Sequence, residues 1–390
     1  MIESSKTGKA FAELQYGMVG GGQGAFIGDV HRKTANFDGK AKIVAGCFSR
    51  DYQNTLTTGA TLGIDASRLY QSFEEMATAE GQRQDKIDFV IIVTPNNLHF
   101  PNAKAFLEQG MHVVCDKPLT LELKEAEELS RIAKAKDLLF CVTYTYTGYP
   151  MVKHAREMIK RGDIGGIRFI NAEYPQDWLA TPIEKTGQKQ AAWRMDPVQT
   201  GKSNCVGDIG SHTENLAGYL TGLKIKSLCA RLDTFVAGRV LDDNATIMVT
   251  YDSGAKGVYW TSQIAVGHDN DLRIRIYGTK GSIEWSQENP NYLKVAYIGK
   301  PTEILSRGRD QLYPRAASVS RIPGGHPEGY FEAFANIYAT FANALMKKKA
   351  GEPLAEDDLD FPTLQMGIDG VKFIGKCVES SQKGAVWLDF

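Results

Sequence analysis

The stretch Val19–Gly20–Gly21–Gly22–Gln23–Gly24–Ala25–Phe26–Ile27–Gly28 decides how this chain is read. It follows at once on an apolar run, Leu14–Val19, that reads as a buried strand. Gly20, Gly22 and Ala25 fit the pattern G-x-G-x-x-A. In a first strand-to-helix turn, the first glycine permits the tight bend. The second lets the backbone approach a pyrophosphate, and the third small residue lets helix and sheet pack closely. The helix that follows would turn free N–H groups toward the phosphates. Gly20, Gly22, Gln23, Gly24 and Ala25 are therefore expected to contact a dinucleotide.

Outward from the loop, short apolar runs alternate with helical patterns. Lys42–Phe48, Phe89–Val93, His112–Cys115 and Leu138–Thr143 read as further strands. Pro101–Gln109 and Leu121–Lys136 read as helices, the latter repeating Leu121, Leu123, Ala126, Leu129, Ile132 and Ala133 near the helical period. Such alternation implies a doubly wound parallel sheet covered on both faces. Beyond Tyr146 the pattern changes. A helix (Tyr149–Lys160), a strand (Ile167–Tyr174), a polar stretch (Thr181–Lys202) and a helical run (Asp208–Leu220) give way to hairpins. Ala245–Tyr251 and Gly257–Ile264 flank one turn, and Leu272–Tyr277 and Ser282–Trp285 flank another, which suggests a mostly antiparallel sheet. Helical patterns at Gly329–Lys348 and Phe361–Ser381 precede a last strand, Val386–Phe390. The expected organisation is α/β: a Rossmann domain over residues 1–146 and an α+β domain over 147–390 with a large, mostly antiparallel open sheet.

Bulk properties narrow the function classes. A length of 390 residues suits two domains, and a net charge of −1 carries no basic excess for nucleic acid or anionic membranes. Met1–Glu13 lacks the apolar core of a secretory signal, and Phe89–Val93 is far too short to span a bilayer. Six cysteines without a C-x-x-C pair read as reduced thiols in the cytoplasm. The histidines show no metal-ligand spacing, so no metal site is expected.

The candidate chemistry lies after the strands, where doubly wound sheets hold their ligands. Ser49–Arg50 at the end of the second strand could receive a 2′-phosphate, whereas Asp51 could hold an unphosphorylated ribose; NAD and NADP both stay open. Thr94, Pro95, Asn96 and His99 follow Phe89–Val93, where ribose and nicotinamide should lie. Lys117, in Asp116–Lys117–Pro118, can reach both cofactor and substrate, and its ammonium would steady a developing alkoxide. Asp208 and His212, in Gly207–Asp208–Ile209–Gly210–Ser211–His212, are four apart and would share a helix face. A histidine there can take a hydroxyl proton while a carboxylate fixes its tautomer; an N-cap aspartate with a packed histidine fits the spacing equally well. Trp193–Arg194 sets an aromatic ring beside a guanidinium, a pair suited to sugar faces and hydroxyls. His326 falls in a loop placed here near the pocket.

In order along the chain, Gly20–Ala25, Asp116–Lys117–Pro118 and Gly207–His212 resemble the glucose–fructose oxidoreductase/inositol dehydrogenase/rhizopine-catabolism family over nearly the whole length. That family usually carries Glu where this chain has Asp116. The resemblance implies that Lys117, Asp208 and His212 are catalytic, with His212 as acid–base group, Asp208 orienting it and Lys117 on the reacting oxygen. It implies NAD or NADP as cofactor, a sugar, inositol or cyclic polyol as substrate, and a homodimer or homotetramer. Tyr144–Pro150, Tyr174–Leu179 and Gly325–Gly329 look like a subgroup with longer chains; their aromatic and polar residues, Tyr146 included, suit a carbohydrate pocket. Substrate contacts are expected from Lys117, Tyr146, Trp193, Arg194, Asp208 and His212. Two other activities occur among similar chains: a redox-neutral, NAD-dependent glycosidase and a dinucleotide- or sugar-sensing regulator. The sensor would be expected to have lost the Lys, Asp and His retained here.

Overall fold

The computed structural model describes residues 12–390, so Met1–Glu13, read above as no signal, lies outside the described residues as far as residue 11. Five parallel strands, β1 (Leu14–Gly20), β2 (Ala41–Cys47), β3 (Phe89–Val93), β4 (His112–Cys115) and β5 (Phe140–Val142), form a sheet in the order β2-β1-β3-β4-β5. All five residues of β3 are buried because the sheet is covered on both faces. Helix Leu123–Ala135 shows how the sequence achieves this. Glu122 and Glu125 close a capping box at its start, and Ala126, Leu129, Ile132 and Ala133 recur at helical spacing to face the sheet.

The second sheet has nine strands: β6 (Ile167–Pro175), β7 (Ile225–Asp233), β8 (Asn244–Tyr251), β9 (Lys256–Ser262), β10 (Arg273–Gly278), β11 (Gly281–Ser286), β12 (Tyr292–Tyr297), β13 (Glu303–Ser306) and β14 (Leu388–Asp389). They lie in the order β13-β12-β11-β10-β6-β9-β8-β7-β14, antiparallel except where β6 runs beside β9. Its inner face packs against helices Pro150–Lys160, Ser211–Thr221 and Leu364–Gln382 in one core that includes Ile170, Ile247, Tyr259 and Trp285. The chain is thus an α/β protein with a Rossmann-like sheet and a large, mostly antiparallel one.

A division at residues 146/147 separates the two sheets but not their packing. Helix Tyr330–Lys349 buries Phe334, Ile337, Tyr338, Phe341 and Leu345 in the same core as Leu14, Tyr16, Phe89 and Ile91 of the first sheet. Lys348 and Lys349 pair with Asp137 and Asp88 and pin its end there. The first domain therefore takes its last layer from the far end of the chain. The stretch Thr181–Lys202, polar in sequence, contains two short helices, Lys189–Arg194 and Pro197–Thr200.

Candidate active site

The loop after β1 is built on close approach. Gly20 has φ of 84°, and a Cβ there would lie 2.8 Å from the Val93 carbonyl oxygen; on Gly22 it would lie 2.4 Å from Asn54 Oδ1. Backbone is thus all that fits between the ends of β1, β3 and the following helix. Helix Phe26–Ala35 begins at Ala25, which caps it with no side-chain hydrogen bond. Its first-turn amides have no cap to accept from them, an arrangement that favours an anion. Gln23 N–H is instead committed to Asn54 Oδ1 and Thr58 Oγ1, at 3.0 and 3.2 Å, and Arg32 Nη1 donates to the Gly21 carbonyl at 2.6 Å. These contacts fix the path of the loop between β1 and the helix.

The close helix-to-sheet contact comes from Gly28 rather than Ala25. A Cβ on Gly28 would stand 2.4 Å from the Gly21 Cα, whereas Ala25 is half-buried at the N-cap. Gly28→Ala is expected to cost about 1–3 kcal/mol by overpacking, and to weaken dinucleotide binding by pushing the helix off the sheet. Thermal melts and fluorescence titration with NADH check both; an unchanged affinity would remove this contact from the cofactor cradle.

At the end of β2, Asp51 caps its own helix by accepting from Gln53 N–H at 3.0 Å. Ser49 and the exposed Arg50 lie just before it, past the end of β2. His99 is a brace. Its ring nitrogens sit 2.8 Å from the Pro118 carbonyl and 2.9 Å from the Thr94 carbonyl, tying the ends of β3 and β4 together. The residue is buried between these two carbonyls, and as a neutral imidazole it can donate to only one of them. Asn96 Nδ2 reaches across to the Thr200 carbonyl at 3.4 Å, and Thr94 and Pro95 stay half-buried at the cleft.

Facing this end is a charged knot. Lys117 Nζ donates to Asp208 Oδ1 at 2.8 Å and to the Asp208 carbonyl at 2.6 Å. Asp208 Oδ2 accepts from Arg194 Nε at 3.1 Å and Gln263 Nε2 at 3.0 Å. Burial alone would raise the Asp208 pKa; the charges of Arg194 and Lys117, with their hydrogen bonds, outweigh it and hold the carboxyl well below the usual range. His212 is buried, its ring edge-on to Tyr146 at 4.8 Å and Tyr144 at 5.4 Å. Burial, followed by the Lys117 charge, keeps its pKa well below the ordinary value, with Asp208 opposing. The ring is therefore neutral and carries a lone pair at physiological pH.

The N-terminal model of an oxidoreductase family with an NAD-binding Rossmann fold matches residues 14–144, and the GFO/IDH/MocA C-terminal domain matches residues 152–284. The oxidoreductase YfiI of Bacillus subtilis, which carries no assigned activity, is 37% identical over 97% of both chains. An inositol dehydrogenase homolog from Azotobacter vinelandii, solved with NADH and myo-inositol, is 36% identical with a TM-score of 0.90, covering 97% of this chain and 98% of its own. Levoglucosan dehydrogenase of Pseudarthrobacter phenanthrenivorans is 31% identical over 54% of this chain and 58% of its own.

The chain belongs to the GFO/IDH/MocA family. It is an NAD-binding oxidoreductase of dehydrogenase type, with sugar and inositol dehydrogenases among its homologues. In this GFO/IDH/MocA oxidoreductase, the structure gathers Lys117, Asp208, Arg194 and His212 at one end of both sheets, but it corrects two of their roles. Among the described residues the Asp208 carboxylate makes its hydrogen bonds with Lys117, Arg194 and Gln263 and none with His212. The four-residue spacing misleads because Asp208 lies in a wider π-turn, Val206–Gly210, where Ser211 N–H reaches back five residues to the Val206 carbonyl. Arg194, read as a sugar contact, holds Asp208 while lying 4.4 Å from the Trp193 ring and 5.6 Å from Trp178. Tyr146 bonds the Tyr174 hydroxyl, and Tyr174 donates to Asn270 Oδ1 at 2.7 Å. Tyr146 must then be the donor within its pair, so its oxygen keeps its lone pairs for accepting. Gln263 and Asn270 escaped the sequence reading: neither stands in a motif, and only the ends of β9 and β10 bring them here.

Proposed function

We propose that this protein transfers a hydride between nicotinamide and a carbinol carbon of a sugar, inositol or related cyclic polyol, with Lys117, Asp208 and His212 around the reacting centre. The observation that carries this reading is a neutral buried histidine beside a lysine–aspartate pair, facing an uncapped phosphate-loop helix. The glycine loop fits a dinucleotide, and when bound that cofactor supplies the redox chemistry. Gly20, Gly22 and the first turn of helix Phe26–Ala35 would hold its pyrophosphate, and Ser49 and Arg50 its ribose. His212, neutral, accepts the hydroxyl proton at a ring nitrogen as the carbinol is oxidised. Lys117 donates to the oxygen as charge builds on it. Asp208, fixed by Arg194 and Gln263, keeps the ammonium of Lys117 in place, and Tyr146 accepts from a substrate hydroxyl.

A spectrophotometric screen at 340 nm tests this, mixing the protein with NAD or NADP and a panel of inositols, aldoses, anhydrosugars and glycosides. Cofactor reduction with one substrate group is expected, and the exposed Arg50 favours activity with NADP as well as NAD. Release of free sugar from a glycoside without net reduction would instead establish the redox-neutral hydrolase. Because His212 is held neutral, kcat/KM for oxidation should stay level through pH 7, with its acid limb below the ordinary imidazole range. An acid limb centred above 7 would take the proton from some other group.

The proposal extends to assembly and location. The outer face of the second sheet leaves Phe169, Met248 and Tyr277 exposed, which supports pairing of two copies; light scattering reads the oligomer directly. All six cysteines are free and buried, in keeping with a cytoplasmic enzyme, and among the described residues no helix is long and apolar enough to cross a membrane.

A further inference from the structure

Pro175, Ser262, Ser286 and Ser306 end β6, β9, β11 and β13, and Arg273 and Tyr292 begin the strands β10 and β12 that run against them. All six lie along one edge of the sheet, the edge that carries Gln263 and Tyr174 to the catalytic knot. Along it, past β10, opens a cavity of about 560 Å³ lined by Tyr149, Gln287, Asn289, Tyr292, Ser306 and Tyr330, among others. That volume lies within the range of about 300–1,000 Å³ typical of small-molecule sites. Gly325–Gly329 and Tyr149, from two of the stretches expected to suit a carbohydrate, line it, but no step proposed above uses it.

Two physical links join the cavity to the reacting centre. Tyr149 lines the cavity and lies parallel to Tyr146, with 6.4 Å between centroids and 7° between planes, and Tyr146 in turn meets the His212 ring at 4.8 Å. Glu288, also in the lining, accepts from Asn270 N–H at 2.7 Å, and Asn270 Oδ1 takes the hydroxyl of Tyr174. Along the sheet β11 is two strands from β6, roughly 10 Å at ordinary strand spacing, about the length of one further sugar ring and its linkage.

The lining also sets the chemistry of the occupant. Its one arginine, Arg307, is 2% exposed at the side chain, pairs with Glu328, and donates to the carbonyls of Ile322 and His326 and to Asn291 Oδ1. Glu328 accepts from the backbone N–H groups of Arg321 and Ile322. With these charges paired inside the wall, the lining holds no lysine and no second arginine among the described residues to bind a phosphate or carboxylate. Tyrosine faces, side-chain amides, a serine hydroxyl, the exposed Glu288 carboxylate and the exposed His326 imidazole are what the cavity offers, and they match a neutral ring bearing many hydroxyls.

We propose that the substrate is larger than one ring: the ring oxidised beside His212 carries a neutral polyhydroxy substituent, such as a second glycosyl residue, that occupies this cavity. The inference rests on the dehydrogenase reading for the first ring and goes beyond it for the second.

The test compares glucose and myo-inositol with maltose, cellobiose and lactose. Turnover is followed with NAD and NADP, and binding to the NADH-loaded protein is followed by calorimetry, in the wild type and in Asn289→Ala and Tyr292→Ala. At least one disaccharide is expected to exceed glucose tenfold or more in kcat/KM and in affinity, and each variant should cut that ratio about tenfold. Disaccharides that bind no tighter than glucose would overturn the proposal, as would variants that leave the ratio unmoved. Tight disaccharide binding that the variants abolish, without any cofactor reduction, would uphold the cavity's role while ending the dehydrogenase reading.

Discussion

Lys117→Met is expected to lower kcat about 10³-fold while leaving NADH affinity nearly unchanged. The size follows from what the ammonium touches. Among the described residues its hydrogen bonds run to the Asp208 carboxylate and carbonyl, at the reacting end of the cleft and away from the phosphate loop. Methionine keeps the length and apolar stem, so packing is largely preserved. Asp208 keeps Arg194 and Gln263 as partners and stays ionised. The neighbour that changes is His212. Lys117 stands second only to burial in holding that imidazole's pKa down, and Asp208 opposes it. Removing the lysine should move the acid limb of the residual activity upward. A purely structural lysine would lower the amount of folded enzyme and leave that limb where it was. Retention of most of kcat would remove Lys117 from the mechanism.

The parts of this site that sequence discloses are those fixed by local geometry. Gly20–Gly21–Gly22 must be glycine because backbone from three directions meets there, and such a constraint is visible in one strand-to-helix turn. Lys117 is legible because it ends a strand in a parallel sheet. Asp208 and His212 are legible as residue types, but not as a pair. The π-turn that separates them is set by hydrogen bonds to Asp242, which accepts from the N–H groups of Asn204 and Val206. Asp242 belongs to the loop before β8, over thirty residues away, and no local pattern encodes that contact. Gln263 is further from view: it reaches Asp208 because β9 runs beside β6, and its own oxygen is held by Asn204. The same limit applies to helix Tyr330–Lys349. Its apolar period shows that a face is buried, and nothing in the period shows that the burying surface is a sheet three hundred residues earlier.

Asp360→Ala is expected to be the most destabilising single change in the second domain, at about 3–5 kcal/mol, a fall of roughly 10 °C in Tm. Asp360 receives Lys153 Nζ at 2.7 Å, Arg156 Nη1 at 2.8 Å, Arg315 Nε at 2.7 Å and the Tyr219 hydroxyl at 2.8 Å. Arg156 and Arg315 are partly exposed, so water can solvate them when the carboxylate is lost. Lys153 cannot turn outward: its side chain is 2% exposed, and alanine would leave an ammonium buried with one backbone carbonyl and one hydroxyl. The cost is therefore that of an orphaned charge, which predicts the rescue. Lys153→Met combined with Asp360→Ala should recover most of the lost stability, because it removes the stranded charge along with its partner. Acidity distinguishes this ion cluster from ordinary packing. Burial raises the Asp360 pKa, but Lys153 and Arg315 pull it down to about 2, below the free value of about 3.9. Its contribution is complete above pH 4 or so and is lost as pH falls through 2, so wild type and variant should converge in acid. The effect should reach the site as well. Asp360 ties helix Pro150–Lys160, which starts just after Tyr146 and Tyr149, to the segment entering helix Leu364–Gln382. Loosening it should raise the sugar KM before it touches dinucleotide affinity. Chemical denaturation of the single and double variants from neutral to acid pH, with KM for each ligand, decides the matter. A double variant no more stable than Asp360→Ala would mean that the lysine was never the problem.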